Sequence, residues 1–370
     1  MSDAPVIIEE VACGRLKVGR LTLNVPKTLN SLTLPMVDML QQQLDSWRVD
    51  PDIAAVFIDG SGEKAFCAGG DVQALHRSAT ATPGGPCVEA ETFFAREYRM
   101  NHTLHTYPKP IVCWGHGIVM GGGLGVMAGC SHRVVTEATR IAMPEITIAL
   151  FPDVGGSWFL NHMPGKAGLF LALTGASMNA ADAVFTGIAD RFICSEHKSA
   201  VLEQLRRSNW TGDAGTDHAQ VRHVLRPFTE QSIGSMPGGQ VEPHLSLINS
   251  LCDGDDIHQV VDNIVNQQTS DPWLSKARDG LAHGSPLAAL WISRQLDETR
   301  HSSLREVFQA ELLLATNVVR YPEFAEGVRA LLLDKDRNPA WQYRSTRDVP
   351  EALLDSFFQA PWPENPLADL

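Results

Sequence analysis

The apolar run Ile53 to Ile58 (IAAVFI) stops at Asp59-Gly60-Ser61-Gly62, a cluster of turn formers. A run so short and so apolar, closed by glycine, reads as a strand buried on both faces. Such a strand needs cover on each side, and the flanking sequence supplies it. Val6 to Pro26 alternates and turns like a hairpin, and Thr33 to Trp47 carries Met36, Leu40 and Leu44 at i, i+4, i+8. Ile111 to Trp114, Arg133 to Thr136 and Arg140 to Ala142 read as further short strands between helical stretches. Alternation of this kind predicts an α/β domain whose strands are covered by helices.

The stretch Gly234 to Pro243 (GSMPGGQVEP) reads as a linker. Beyond it the periodicity is helical: Ile257 to Gln268, Pro286 to Glu298, Leu304 to Val319 and Phe324 to Leu333. The expected organisation is a mixed α/β core over residues 1–233 and a helical C-terminal region over 244–370. A chain of 370 residues is long enough for a large core with an appendage.

A net charge of -13 argues against a nucleic-acid partner, because phosphate binding needs a basic face. No apolar run approaches the roughly 18 residues of a membrane span. Met1 to Glu10 carries Asp3, Glu9 and Glu10 and no basic residue, which does not fit a signal or transit segment. The seven cysteines are scattered, with no C-x-x-C pair, so neither a disulfide framework nor a zinc knuckle is expected. These features together predict a cytoplasmic location. A homo-oligomer is left open.

Three glycine-containing segments are too irregular for ordinary packing. In Lys64-Ala-Phe-Cys-Ala-Gly-Gly-Asp71, paired glycines let the backbone approach a ligand closely. In Met120-Gly-Gly-Gly-Leu-Gly125, glycines open a helical stretch and leave its first N–H groups free for developing negative charge. The third segment, Met143-Pro-Glu145 followed by Phe151-Pro-Asp-Val-Gly-Gly156, sets two carboxylates among proline and glycine turns. Two N–H groups on a carbonyl oxygen, with a carboxylate beside it, is the combination thioester chemistry needs.

The ordered set KAFCAGGD, MGGGLG and MPEITIALFPDVGG resembles the crotonase (enoyl-CoA hydratase/isomerase) superfamily. FPDVGG after the glutamate, together with the segment from Phe324 to Trp341, is similar to the 3-hydroxyisobutyryl-CoA hydrolase subgroup. The resemblance implies a crotonase-like ββα spiral core and hydrolysis of a short-chain 3-hydroxyacyl-CoA in valine catabolism. Coenzyme A is then part of the substrate, with no cofactor and no metal required. It also implies oxyanion N–H groups from Gly70 and Gly122, and contact of the Ala68 backbone with the adenine. Glu145 and Asp153 match the subgroup's catalytic carboxylates, and Glu97 matches a third acidic residue lining its substrate pocket. Hydratases carry a second catalytic glutamate where this chain has Gly125, so hydrolysis is favoured. Ala149 stands where the hydrolases usually have glycine, and its methyl is expected to narrow the acyl pocket.

Plainer accounts stand beside these. Glu97, in a stripe with Phe93, Met100 and Leu104, fits a structural ion pair. Glu145 fits a turn cap, and Asp153 an N-cap for a helix over Gly155 to Met163. Gly123-x-Gly125-x-x-Ala128 matches a dinucleotide fingerprint, but Gly117 to Met120 separates it from the strand before it. His102 and His105 lack a third ligand and read as surface histidines. Arg20, Lys27, Lys64 and Arg77 are candidates for the coenzyme A phosphates. The alternatives to hydrolysis are a hydratase or isomerase on the same fold, and an acyl-CoA binder without catalysis.

Overall fold

The structure is a computed structural model describing residues 4–254 and 256–370. Met1 to Asp3, part of the acidic opening stretch, lie outside the described residues. The chain divides into two compact units, each discontinuous in sequence. One comprises Met1–Gly70, Met100–Ile141 and Met178–Gln240; the other Asp71–Arg99, Ala142–Ser177 and Val241–Leu370. The last crossing between them, at Gln240/Val241, falls inside the Gly234 to Pro243 stretch.

In the first unit, β1 (Val6–Cys13) and β2 (Leu16–Leu23) form the expected hairpin, running from Val6↔Leu23 to Cys13↔Leu16. Gly14, at φ 74°, supplies the left-handed residue of its turn. Helix α1 (Leu34–Val49) starts where Thr33 accepts the Met36 N–H, and it buries Met36, Leu40, Leu44 and Trp47. β3 (Ile53–Gly60) is buried along its whole length. It lies parallel between β2 and β5 (Ile111–Gly115), and β7 (His132–Val135) and β9 (Arg191–Phe192) complete a six-stranded sheet of order β1-β2-β3-β5-β7-β9. At the end of β3, Asp59 accepts from Thr22 at 2.6 Å and pairs with Arg20 at 2.8 Å and Lys198 at 2.9 Å. Burial pushes its carboxyl up, but Lys198, Arg20 and Thr22 outweigh that and hold it below the usual range.

A second sheet has the order β4-β6-β8, from β4 (Ala65–Cys67), β6 (Ile118–Met120) and β8 (Arg140–Ala142). β4 and β6 run parallel, Ala65 opposite Ile118 and Cys67 opposite Val119.

In the second unit, α2 (Val72–Ala81) is capped by Asp71, whose side chain accepts the Ala74 N–H. Glu97 and Tyr98 lie on α3 (Val88–His105). The helical C-terminal segment holds helices over Pro286–Glu298 and Leu304–Arg320, the latter opened by a reciprocal Ser303/Glu306 cap. The expected helix over Phe324 to Leu333 is two pieces. An α-helix over Pro322–Val328 widens into a π-turn over Arg329–Leu333, where the Arg329 guanidinium bonds Glu326, Asp334 and Asp336. The expected helix from Ile257 ends at Val265 rather than Gln268. No described helix is long and apolar enough to cross a membrane. All seven cysteines are free thiols.

Candidate active site

The two oxyanion candidates lie in the first unit, on neighbouring loops. After β4 the chain is tied by backbone bonds: the Ala68 N–H donates to Leu29 at 3.0 Å, and Gly69 accepts the Leu32 N–H at 2.8 Å. The buried Asn30 amide donates to the carbonyls of Ser61, Ala65 and Phe66, pinning this approach. Gly69 holds φ 119°, a conformation that side-chain-bearing residues rarely adopt. A Cβ built there would stand 3.5 Å from the Met120 carbonyl oxygen and 3.9 Å from the Gly122 nitrogen. The loop carrying Gly69 and Gly70 therefore runs directly beside the one carrying Gly121 and Gly122.

β6 feeds through Gly121, at φ 48°, into α4 (Gly122–Ala128). Gly122 is the first residue of that helix, where an N–H has no intrahelical acceptor. α4 sits hard on β4. A Cβ on Gly123 would fall 2.3 Å from the Cys67 carbonyl oxygen, so no side chain fits. A strand thus does lead into the glycines, correcting the expectation that Gly117 to Met120 interrupts. The dinucleotide fingerprint loses that objection. Met127 and Cys130 are core filling.

The second unit brings together Glu97, Glu145 and Asp153, which sequence singled out, and Tyr98 and Glu311, which it missed. All five are buried. Glu145 opens a 3-10 turn over Glu145–Ile148, and its Oε2 has no hydrogen-bond partner. Glu97 Oε1 has none either, and the charged groups acting on its carboxyl are the acids Asp153 and Glu145, which gives the ion-pair account no support. Tyr98 donates its hydroxyl to Asp153 Oδ2 at 2.5 Å. Asp153 is not the cap of the following helix α5 (Gly156–Asn161), whose N-cap is Gly155 at φ 85°. Instead Glu311 accepts the N–H of Gly155 at 2.7 Å and of Ser157 at 2.8 Å.

Burial sets the electrostatics. It pushes Glu97 well above the usual carboxylate range, and the charges of Asp153 and Glu145 add to the effect. Glu145 is raised by burial and then by Asp153. Burial lifts Asp153 to about 6 although the Tyr98 bond opposes it. Glu311 is lifted to about 8 by burial, against the two backbone N–H groups. Buried acids with proton affinities near neutral pH can take up and return a proton without a large driving force.

Ala149 has a conformational meaning that its sequence position hid. It ends the Glu145 turn in the left-handed region, φ 50° and ψ 52°, fully buried. Glycine takes that conformation without cost, whereas alanine holds it under strain. His102 and His105 are half-buried rather than on the surface. Among the described residues no three or more His, Cys, Asp or Glu side chains are grouped so that they could hold a metal ion. Arg20 is engaged by Asp59 and Glu9 and is not a free phosphate ligand; Lys27, Lys64 and Arg77 are exposed.

The chain belongs to the enoyl-CoA hydratase/isomerase family, whose pattern matches residues 18–358. The fold agrees with solved structures. A protein from Mycobacterium thermoresistibile described as a carnitinyl-CoA dehydratase superposes with a TM-score of 0.85 at 32% identity, covering 98% of each chain. One from Rhodobacter sphaeroides described as an enoyl-CoA hydratase gives 0.83 at 32% identity, covering 97% of this chain and 98% of its own. The architecture is therefore the crotonase type, α/β with a helical C-terminal region. Within the family, the mitochondrial 3-hydroxyisobutyryl-CoA hydrolase of Danio rerio is 37% identical over 97% of this chain and 90% of its own length. That of Homo sapiens is 36% identical over 96% and 88%. These relatives overturn the expected cytoplasmic location, since both are mitochondrial proteins by name. The acidic start of the chain was not sufficient ground for it.

Proposed function

We propose that this chain hydrolyses 3-hydroxyisobutyryl-CoA to 3-hydroxyisobutyrate and free coenzyme A, a step that belongs to valine catabolism. One observation carries the reading: relatives matching 96–97% of the chain, over about nine-tenths of their own length, bear this one name. In the reaction, the thioester carbonyl oxygen accepts from the N–H groups of Gly70 and Gly122 as the tetrahedral intermediate forms. The adjacency of their loops supports that assignment. The Ala68 carbonyl meets the adenine, its N–H being engaged by Leu29.

Glu145 supplies the carboxylate at the reacting carbon. Either it attacks, giving an anhydride that water then cleaves, or it takes a proton from water attacking directly. In both cases the carbon–sulfur bond breaks, water contributes its oxygen to the acid, and its proton ends on the coenzyme A sulfur. Asp153 holds the substrate 3-hydroxyl or steers that proton, and Glu97 lines the acyl pocket. No metal or redox cofactor enters.

A hydratase reading rests on the descriptions of the two solved relatives. It requires a second carboxylate where this chain has Gly125, buried inside α4. The two separate in one assay set. The hydrolase releases free thiol from 3-hydroxyisobutyryl-CoA; loss of conjugated absorbance from a 2-enoyl-CoA without thiol release would establish the hydratase instead. Acyl-CoA binding without turnover of either would reduce the protein to a binder.

A further inference from the structure

Glu311 belongs to none of the motifs, yet it is fully buried on the Leu304–Arg320 helix among Val307, Phe308, Leu312 and Leu314. A carboxylate there costs desolvation that an apolar residue would avoid. Its two oxygens accept the N–H groups of Gly155 and Ser157, which open α5. Helix starts of this kind are normally satisfied by the N-cap's own side chain, and here the N-cap is a glycine with none. The residue before it, Val154, is β-branched and buried, and it holds φ 55°. That conformation is strained for a β-branched residue and persists only where the surroundings hold it. The next residue back is Asp153, whose carboxylate takes the Tyr98 hydroxyl.

We propose that Glu311 is a positioning residue: by clamping both amides of the turn after Val154, it holds the Asp153 carboxylate in its working position. The inference rests on the reading of Asp153 given above, and the test separates the two. Glu311→Gln keeps the side-chain volume but offers one acceptor in place of two, with an amide NH₂ facing an N–H. In the full-length protein at pH 9, where the Glu311 carboxyl is ionised and both oxygens accept, thiol release from 3-hydroxyisobutyryl-CoA is expected to lose about 10-fold or more in kcat, with KM changed by less than about 3-fold.

Added to Asp153→Asn, the substitution should lower kcat no further, because the group it positions is already gone. Adding Val154→Gly to Glu311→Gln should restore part of kcat, since glycine holds the turn unaided. A merely structural role predicts losses that multiply in the double variant and no rescue. Multiplying losses, or wild-type kcat in Glu311→Gln, overturn the proposal and leave the thioester reading standing. Full activity in Asp153→Asn alone removes Asp153 from the chemistry, and the positioning role with it. If Glu311→Gln does not fold, Glu311→Asp, too short to reach both amides, enters the same cycle with the same expectations.

Discussion

Tyr98→Phe removes one hydroxyl from the carboxylate cluster and little else. The ring is fully buried against Phe94, centroids 5.8 Å apart, and Phe308, at 6.2 Å, so phenylalanine keeps the packing. What is lost is the 2.5 Å bond to Asp153. A buried hydrogen bond to a charged group contributes about 1.5–3 kcal/mol, and one between neutral groups about 1 kcal/mol. Asp153 changes charge at about 6, so the bond is charge-assisted above that pH and ordinary below it. The signs follow. Asp153 is raised from 3.8, so the stability gained from its bound proton is present at low pH and lost as pH rises through about 6. The Tyr98 bond works the other way, favouring the ionised form, and its extra contribution appears only above about 6.

Urea unfolding at pH 5 and pH 8.5 reads the difference. Tyr98→Phe should cost about 1 kcal/mol at the lower pH and about 2–3 kcal/mol at the higher. In the same variant the Asp153 proton affinity should rise by about one to two pH units. An equal cost at both pH values would show that the Tyr98 bond gains nothing from the Asp153 charge.

Ala149→Gly should stabilise the protein. It relieves about 1–2 kcal/mol of left-handed strain against about 0.5–1 kcal/mol of added chain entropy, and a rise in melting temperature checks it. Gly123→Ala should cost about 3 kcal/mol or more, because its Cβ would lie 2.3 Å from a backbone oxygen, and unfolding by urea reads the loss. Between pH 7.5 and 9 the wild type should lose about 1 kcal/mol more stability than Glu311→Gln. The folded-state Glu311, raised to about 8, gives up its proton in that window while the unfolded residue is already ionised. Parallel stability curves would contradict this.

The strands and helices that were legible in the sequence are those whose burial is regular. Ile53 to Ile58 is apolar at every position because both faces of β3 are covered. Met36, Leu40 and Leu44 show the one covered face of α1. β6 escaped because three residues after a left-handed Gly117 are too few to show a period. The π-turn at Arg329 escaped because its hydrogen bonding changes while its composition stays helical. Of the site, the glycine loops and three carboxylates stood out as unlikely chemistry in apolar or turn-rich surroundings. Glu311 was open to the same reasoning, a lone acid in the buried stripe of its helix, but lies more than a hundred residues beyond the turn it clamps. Tyr98 carried no such signal, since a tyrosine next to Glu97 on a helix is ordinary core material. The division into units assembled from separated segments leaves no trace in local composition at all.

The most direct measurement is the steady-state rate of free thiol appearance from 3-hydroxyisobutyryl-CoA with the wild type and with Glu145→Gln, both verified as folded. Catalysis by a carboxylate acting on a carbonyl held by two amides predicts rapid release by the wild type. It also predicts a loss of roughly 10³-fold or more in the variant, with substrate binding retained. Equal rates for the two proteins would show that Glu145 takes no part in breaking the thioester.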